Sequence, residues 1–445
     1  MDSIYKYRRE QLLKELPVNS LVVLVGYQQK VRSKNIKYHF RQDNDFFYLT
    51  GFNEPNAFAL LKKGIGGSVY SLFCQPKDIE LETSFGSRAG IDGAIHTYRA
   101  DQAFCTNEFE NQLSLALDQI EHVFLSDESN LFSNKVIPLL NQQRHTAKFD
   151  QIKQFRSVQP LAKILHQHRL IKSTAEIESI RKAVAASVDA HCAVMQHCPH
   201  AKNESQLAAT FMQSIANHGC TEVAYPSIVA SADNAMCLHY EDNNSILDEN
   251  RILLIDAGAE YQMYASDITR SYPISGTFSQ AQSQIYNLVL LALDTAIAKV
   301  TPGLAWNELY ETCMTILAKG LIELGILKGE FNDVMKTEAY KRFTVHKTGH
   351  WLGMDVHDVG PYHDDEGNWI TLKPNMVFTI EPGIYIPSDV PDIPEQYRGI
   401  AVRIEDDILV TESGHENLSS SIPRTVEDIE ALMQSGSHIS HLPVT

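Results

Sequence analysis

Apolar and polar positions run through this chain in two regimes. From Asp2 to about Arg169, short apolar runs such as "SLVVLVG" and "AFALLKK" predict strands, and stretches such as "NEFENQLSLALDQI" predict helices between them, the pattern of an α/β domain. At "RLIKSTAEIESIRKAV" the pattern changes: Ser173 followed by Glu176 forms a capping box that opens a long helix. The join is placed at about Ile171 to Ser173, giving an N-terminal domain over 1–172 and a second domain over 173–445.

In the second domain the order of elements occurs twice. Helices over about 174–196 and 203–218 and strands over about 225–274 are followed by helices over about 280–300 and 304–324 and strands over about 343–411. "LDENRILLIDAG" (247–258) and "LKPNMVFTIEPG" (372–383) share one frame, which puts Asp256 in register with Glu381. "DITRSYPISG" and "EDDILVTESG" both run from an acid to Ser-Gly, which puts Asp267 in register with Glu405. The first pair is separated by 125 residues and the second by 138, so the second half carries 13 more. The Pro-rich stretch over 387–399 has that length and reads as a loop.

Composition narrows the setting. With 44% hydrophobic and 21% charged residues the chain is of globular type, and its 445 residues suggest two domains. No apolar run reaches the roughly 18 to 20 residues of a membrane span, so no membrane association is expected. The start "MDSIYKYRREQLLKELP" reads as a charged amphipathic helix rather than a secretory or transit leader, and a cytoplasmic location is expected. Seven scattered cysteines argue for buried thiols over a disulfide framework. A formal charge of −17 disfavours nucleic acid as a partner.

Two homologous halves that each bring two acids to strand ends would meet about a pseudo-twofold axis with four carboxylates at the centre. Such charges must protonate or bind cations. With an imidazole they make a hard, oxygen-rich ligand set suited to Mn²⁺ or Mg²⁺. Two ions about 3.5 to 4 Å apart would hold a water between them and lower its pKa, so metal-assisted hydrolysis is the reaction class implied.

The segment "FTVHKTGHWLGMDVHDVG" supplies three histidines, His346, His350 and His357. His346 and His350 have the spacing of a zinc-protease helix, but Lys347 stands where that motif needs Glu, and Gly349, Gly353 and Gly360 argue against a helix. A Gly-rich loop that delivers one histidine to metal and keeps the others as proton donors or substrate contacts is the better reading. His239 in "SADNAMCLHY" is a fourth candidate imidazole. "HCAVMQHCPH" (191–200) crowds His191, Cys192, His197, Cys198 and His200, but its like pairs stand six apart on different helix faces and are read as structural.

At these residues the chain resembles the aminopeptidase P (Xaa-Pro aminopeptidase) family, within the pita-bread metallopeptidases that include prolidase, methionine aminopeptidase and creatinase. "RQDNDFFYLTGFNEPNAF" is similar to that family's N-terminal domain, and "YPSIVASADNAMCLHY", "IDAGAEYQMYASDITRSYP", "GHWLGMDVHDVG", "TIEPGIYI" and "EQYRGIAVRIEDD" to its active-site segments. The resemblance implies an α/β (α+β) fold, with an N-terminal domain of creatinase/aminopeptidase P type and a pseudo-twofold pita-bread catalytic domain. It implies two divalent ions, most often Mn²⁺, on Asp256, Asp267, His350, Glu381 and Glu405, with Glu381 also the general base. It further implies that His239 and His357 hold the scissile amide or its tetrahedral intermediate, that His346 and Arg403 support the site, and that Tyr385 lines it. The substrate would be a peptide with proline in second position, and the assembly a homodimer or homotetramer whose subunits narrow access to chain ends.

Prolidase, restricted to dipeptides, is the nearest alternative; a metal-free peptide-binding protein of the same fold is a second. Two residues depart from the family pattern. Lys347 follows His346 where Gly is usual, and Ser84 precedes "FG" where an aromatic is common. The ammonium of Lys347 is expected to point away from the ions.

Overall fold

The computed structural model describes residues 2–126, 136–142 and 155–436. They fall into two compact units that divide between Gln167 and His168.

In the first unit six strands form one mixed sheet: β1 (Ser20–Val25), β4 (Phe58–Gly64), β5 (Gly67–Cys74), β6 (Gln102–Cys105), β7 (His122–Leu125) and β8 (Ser157–Pro160), in the order β6-β5-β4-β1-β7-β8. A separate hairpin joins β2 (Val31–Ser33) to β3 (Ile36–Lys37). "SLVVLV" is buried at every position of β1, as a central strand covered on both faces requires. One face packs Val23, Phe58, Phe73, Phe109, Leu113 and Val123 into a common core.

The second unit shows the duplication. Helix Thr174–His197 packs on Glu204–Asn217, and Gln280–Lys299 packs on Asn307–Glu323. Both first helices open on a capping box, Ser173 with Glu176 and Ser279 with Gln282, satisfying amides that have no partner in the first turn. The strands follow as β9 (Glu222–Val223), β10 (Ile228–Ser231), β11 (Ile252–Asp256), β12 (Ala259–Tyr261), β13 (Tyr264–Ala265) and β14 (Thr269–Pro273). The second half supplies β15 (Val377–Ile380), β16 (Gly383–Ile386), β17 (Ile400–Arg403), β18 (Asp406–Val410) and β19 (His415–Asn417). β11 pairs antiparallel with β14 and β15 with β18, while β12–β13 and β16–β17 are the intervening hairpins. Most of the 13-residue excess lies in the connection from β16 to β17, which has 13 residues against two between β12 and β13 and is a loop apart from one short 3₁₀ turn, Glu395–Tyr397.

The frame's terminal glycine has a steric cause in both halves. A Cβ on Gly258 would lie 1.7 Å from the Ser266 carbonyl oxygen, and one on Gly383 would lie 2.9 Å from His346 Nε2. One expectation is corrected: strands do not begin at about 343. Residues 343–376 are turns, bends and isolated bridges, and regular strand starts at Val377. Glycine, aspartate and histidine dominate the segment from His346 to Gly360 and favour turns over a pleated run.

Candidate metal centre

The two halves join along a seam where β14 faces residues 403–407. The Glu405 amide donates to the Thr269 carbonyl at 3.1 Å and the Asp267 amide to Asp407 Oδ2 at 3.1 Å. Arg270, with no exposed surface, donates to the Glu405 carbonyl at 2.7 Å and to Asp406 Oδ1 at 2.7 Å. Burial works against the charge on Asp406, but Arg270 holds its carboxyl below the usual range. This neutralised pair fixes the strand ends that carry the site.

The four repeat-placed acids stand at those ends. Asp256 closes β11, Asp267 precedes β14, Glu381 follows β15 and Glu405 precedes β18. His350 comes from the irregular segment, which runs along β15: the Thr379 amide donates to the His350 carbonyl at 2.9 Å and the Glu381 amide to the Thr348 carbonyl at 3.1 Å. Potential ligand atoms of Asp267, His350 and Glu405 lie within 4.8 Å of one another, the one His/Cys/Asp/Glu group of this kind among the described residues. Glu381 Oε1 is 3.8 Å from His350 Nε2. Asp256 joins through Tyr225, whose hydroxyl lies 2.6 Å from Asp256 Oδ1 and 2.5 Å from Asp267 Oδ1.

Electrostatics shows how crowded the acids are. Burial, with the neighbouring carboxylates adding to it, raises Asp267 and pushes Glu381 up to about 7. Burial and Asp267 raise Glu405 well above its ordinary value. Burial alone would strip the proton from His350, yet its 3.2 Å contact to Asp267 and the charges of Asp267 and Glu381 carry it to about 9. Its Nδ1 faces the Trp351 carbonyl at 3.0 Å, which turns Nε2 toward the acids, the orientation of a ligating histidine whose second nitrogen is anchored. Clustered carboxylate oxygens whose charges are disfavoured by burial and by one another, with one anchored imidazole among them, fit a hard divalent ion.

A relay lies beside the acids. Arg403 Nη2 donates to Asp256 Oδ2 at 2.6 Å and Nη1 to the Tyr385 hydroxyl at 2.5 Å, and that hydroxyl is 2.8 Å from His346 Nε2. His346 Nδ1 is 2.6 Å from the Lys347 carbonyl. Burial and the Arg403 charge lower His346 to about 4, so it is neutral, donates from Nδ1 and accepts at Nε2. Its 3.5 Å approach to Glu381 is therefore not an ion pair.

All ten sequence-derived residues meet at one place. His239, Asp256, Asp267, His346, His350, His357, Glu381, Arg403 and Glu405 line one cavity of about 890 Å³, and Tyr385 backs it through His346 and Arg403. The His357 ring centroid is 4.3 Å from that of His350, and burial with the His350 charge keeps His357 below its ordinary value. Asp358, beside it, is clamped by Arg169 at 2.7 Å and Lys172 at 3.0 Å, so the turn carrying His357 is pinned from outside the cavity. Trp306, Tyr310, Tyr340, Tyr362 and Trp369 make the outer wall aromatic. Lys347 Nζ lies 4.9 Å from the Tyr310 ring centroid and makes no ion pair with a predicted ligand among the described residues. Ser84 is exposed on the short helix Ile79–Phe85.

The Cys/His cluster disperses. His191 is fully buried with Nε2 3.0 Å from the Ala257 carbonyl, His197 Nδ1 meets Thr210 Oγ1 at 2.9 Å, and Cys198 is buried elsewhere. Tyr225, Thr269 and Asp407 carry no spacing signal, although all three stand in segments read as part of the site. Thr269 Oγ1 donates to Glu405 Oε2 at 2.6 Å, and burial with the Asp267 charge raises Asp407 well above its ordinary value.

Comparison with known proteins gives the family and the fold. The model of metallopeptidase family M24 matches residues 178–412, and that of the aminopeptidase P N-terminal domain matches residues 5–124. The chain is 36% identical to the Xaa-Pro aminopeptidase of Escherichia coli (strain K12) over 430 residues, covering 96% of this chain and 97% of that one. Its fold is similar to Pseudomonas aeruginosa aminopeptidase PepP, with a TM-score of 0.94 and 39% identity over 98% of this chain and 99% of that one. It is equally similar to Zn-substituted E. coli aminopeptidase P in complex with product, with a TM-score of 0.94 and 36% identity over 98% and 99% of the two chains.

Proposed function

The chain belongs to metallopeptidase family M24, and from that premise we propose that it is an Xaa-Pro aminopeptidase, removing the N-terminal residue of peptides whose second residue is proline. The observation that carries this reading is the meeting of Asp256, Asp267, His350, Glu381 and Glu405 at the seam of two duplicated halves inside one cavity. Two divalent ions, Mn²⁺ in our reading, would be held by these five residues and would supply Lewis-acid polarisation and an activated water.

The chain's own groups do the rest. Glu381, whose Oε1 lies 3.8 Å from His350 Nε2 among the proposed ligands, takes the proton of the attacking water. His357 and His239 hold the scissile carbonyl and the developing oxyanion from the cavity wall. Arg403, Tyr385 and His346 form a relay that orients the Asp256 carboxylate and holds His346 in one tautomer. An X-Pro bond has no N–H to recognise, so fit falls to shape, which the aromatic outer wall supplies.

The aminopeptidase reading holds over prolidase: the relatives matched over 96% of the chain include the Xaa-Pro aminopeptidases of Escherichia coli and Haemophilus influenzae. The metal-free binding alternative is disfavoured because all five ligand types are in place. We further assign domains to 1–172 and 173–445, a cytoplasmic location and a homodimeric or homotetrameric assembly. All seven cysteines are free thiols, which supports the location, and no helix among the described residues is long and apolar enough to cross a membrane.

Stripping metal should abolish hydrolysis of Ala-Pro-Ala and restoring Mn²⁺ should recover it. Hydrolysis that persists without metal, or that is confined to the dipeptide Ala-Pro, would refute the assignment.

A further inference from the structure

Two permanent cations line the cavity, and they differ in their engagement. Arg403 is buried and committed to Asp256, Tyr385 and Thr269. Lys347 is exposed, and among the described residues its ammonium makes no ion pair. Its contact is the Tyr310 ring, with Nζ 4.9 Å from the centroid, a weak and non-directional attraction that leaves its N–H donors available.

The acids of the same wall are already occupied. Glu338 accepts from Lys341 Nζ at 2.6 Å, and Glu311 accepts from Asn307 Nδ2 at 2.7 Å. The backbone of Lys347 is anchored, because its carbonyl accepts from His346 Nδ1 at 2.6 Å. The residue is thus fixed at the border of the reaction chemistry while its charge lies on the outer, aromatic wall.

A peptide bound with its first amide at the acids has its N-terminal residue on the inner side and everything after proline on the outer side. A carboxylate in that outer portion would enter the field of a chain with formal charge −17, which opposes it. One unpaired ammonium on that wall offsets the field locally and donates to the carboxylate.

We infer that Lys347 is a specificity-determining residue that receives a substrate carboxylate downstream of proline, either the free C-terminus of a short peptide or an acidic side chain. The inference rests on the Xaa-Pro aminopeptidase reading and names the peptides that site favours.

Steady-state kinetics of the Mn²⁺-loaded full-length enzyme on two matched pairs tests it: Ala-Pro-Gly against its C-terminal amide, and Ala-Pro-Asp-Ala-amide against Ala-Pro-Asn-Ala-amide. In at least one pair the wild type should favour the charged member by about fivefold to tenfold in kcat/KM, through KM, the range of a partly exposed charged hydrogen bond. The ratio should shrink in about 0.5 M salt. Lys347→Ala should bring it to about one, and Lys347→Arg should retain it. A preference in the first pair assigns the C-terminus, and one in the second the acidic side chain. A wild-type ratio of one in both pairs, or a ratio that Lys347→Ala leaves unchanged, overturns the inference. Bound Mn²⁺, measured on each variant, separates lost recognition from a damaged centre. Cleavage of none of the four peptides by metal-loaded enzyme would instead overturn the aminopeptidase reading, and this inference with it.

Discussion

Tyr225 brings one hydroxyl proton to two carboxylates, 2.6 Å from Asp256 and 2.5 Å from Asp267. Both contacts can be hydrogen bonds only if one carboxyl is protonated and donates back, which agrees with the upward shift of Asp267. The hydroxyl therefore orients two proposed ligands, and Tyr225→Phe should weaken Mn²⁺ binding by about 10- to 100-fold, with turnover recovering at saturating metal. A metal titration showing wild-type affinity would count against that role. Glu381→Gln should lower kcat by about 10²- to 10⁴-fold on Ala-Pro-Ala, the span expected for a lost general base. Retention of more than a tenth of the turnover would remove Glu381 from proton transfer. The four acids could be read from sequence because the internal repeat placed Asp256 against Glu381 and Asp267 against Glu405. Tyr225, Thr269 and Asp407 could not, because they meet the acids across strands and no spacing along the chain encodes that approach.

At the level of elements, the loop after β10 shows how His239, which lines the cavity and is proposed to hold the substrate, is held from behind. Glu204, fully buried at the start of its helix, accepts from the Ser231 amide at 2.8 Å, the Ser231 hydroxyl at 2.7 Å and Asn234 Nδ2 at 2.9 Å. It also accepts from the Tyr240 hydroxyl at 2.8 Å and the Ser245 amide at 3.0 Å, so both ends of the segment carrying His239 are tied to one carboxylate. Glu204→Gln turns an acceptor into a donor facing donors and should cost about 1 to 3 kcal/mol. Hydrogen exchange should accelerate first over 231–245, and kcat/KM should fall with bound metal unchanged. Exchange that rises evenly over the whole unit would argue for a general packing role instead. The helices were legible because capping boxes and apolar periodicity agree there. The turn between β12 and β13 was not: Gln262 and Met263 both take positive φ, 51° and 72°, without the Asn-Gly or Asp-Gly pair that normally announces such a turn. The segment 343–376 misled for a related reason, since its order comes from contacts with β15 rather than from any period of its own.

For the molecule as a whole, two sets of buried carboxyls pull stability in opposite directions with pH. Asp406 and Asp358 lie below their ordinary values in the fold, Asp406 through Arg270 and Asp358 through Lys172 and Arg169, against the effect of burial. Their contribution is present above the unfolded carboxylate pKa of about 4 and is lost as pH falls through their folded values. Asp267, Glu405, Asp407 and Glu381 are raised, first by burial and then by charged neighbours, Glu381 to about 7. In metal-free protein the fold binds more protons at these positions than the unfolded chain does. Their contribution is therefore complete below about pH 4 and declines as pH rises through the folded values. Below about pH 6.5 that decline is opposed by His191, His346 and His357, whose folded values are lowered by burial and whose contribution grows as pH rises, so the Tm of the metal-free protein should fall mainly between about pH 6.5 and pH 8, where Glu381 and His350 lose their protons. Divalent ions compete with those same protons and bind the folded chain alone, so added Mn²⁺ should raise Tm more at pH 8 than at pH 5.5. Thermal melts of metal-stripped and Mn²⁺-loaded protein across that range measure both trends. A metal-induced rise in Tm that is equal at the two ends would show that the raised carboxyls are not the groups the metal displaces protons from.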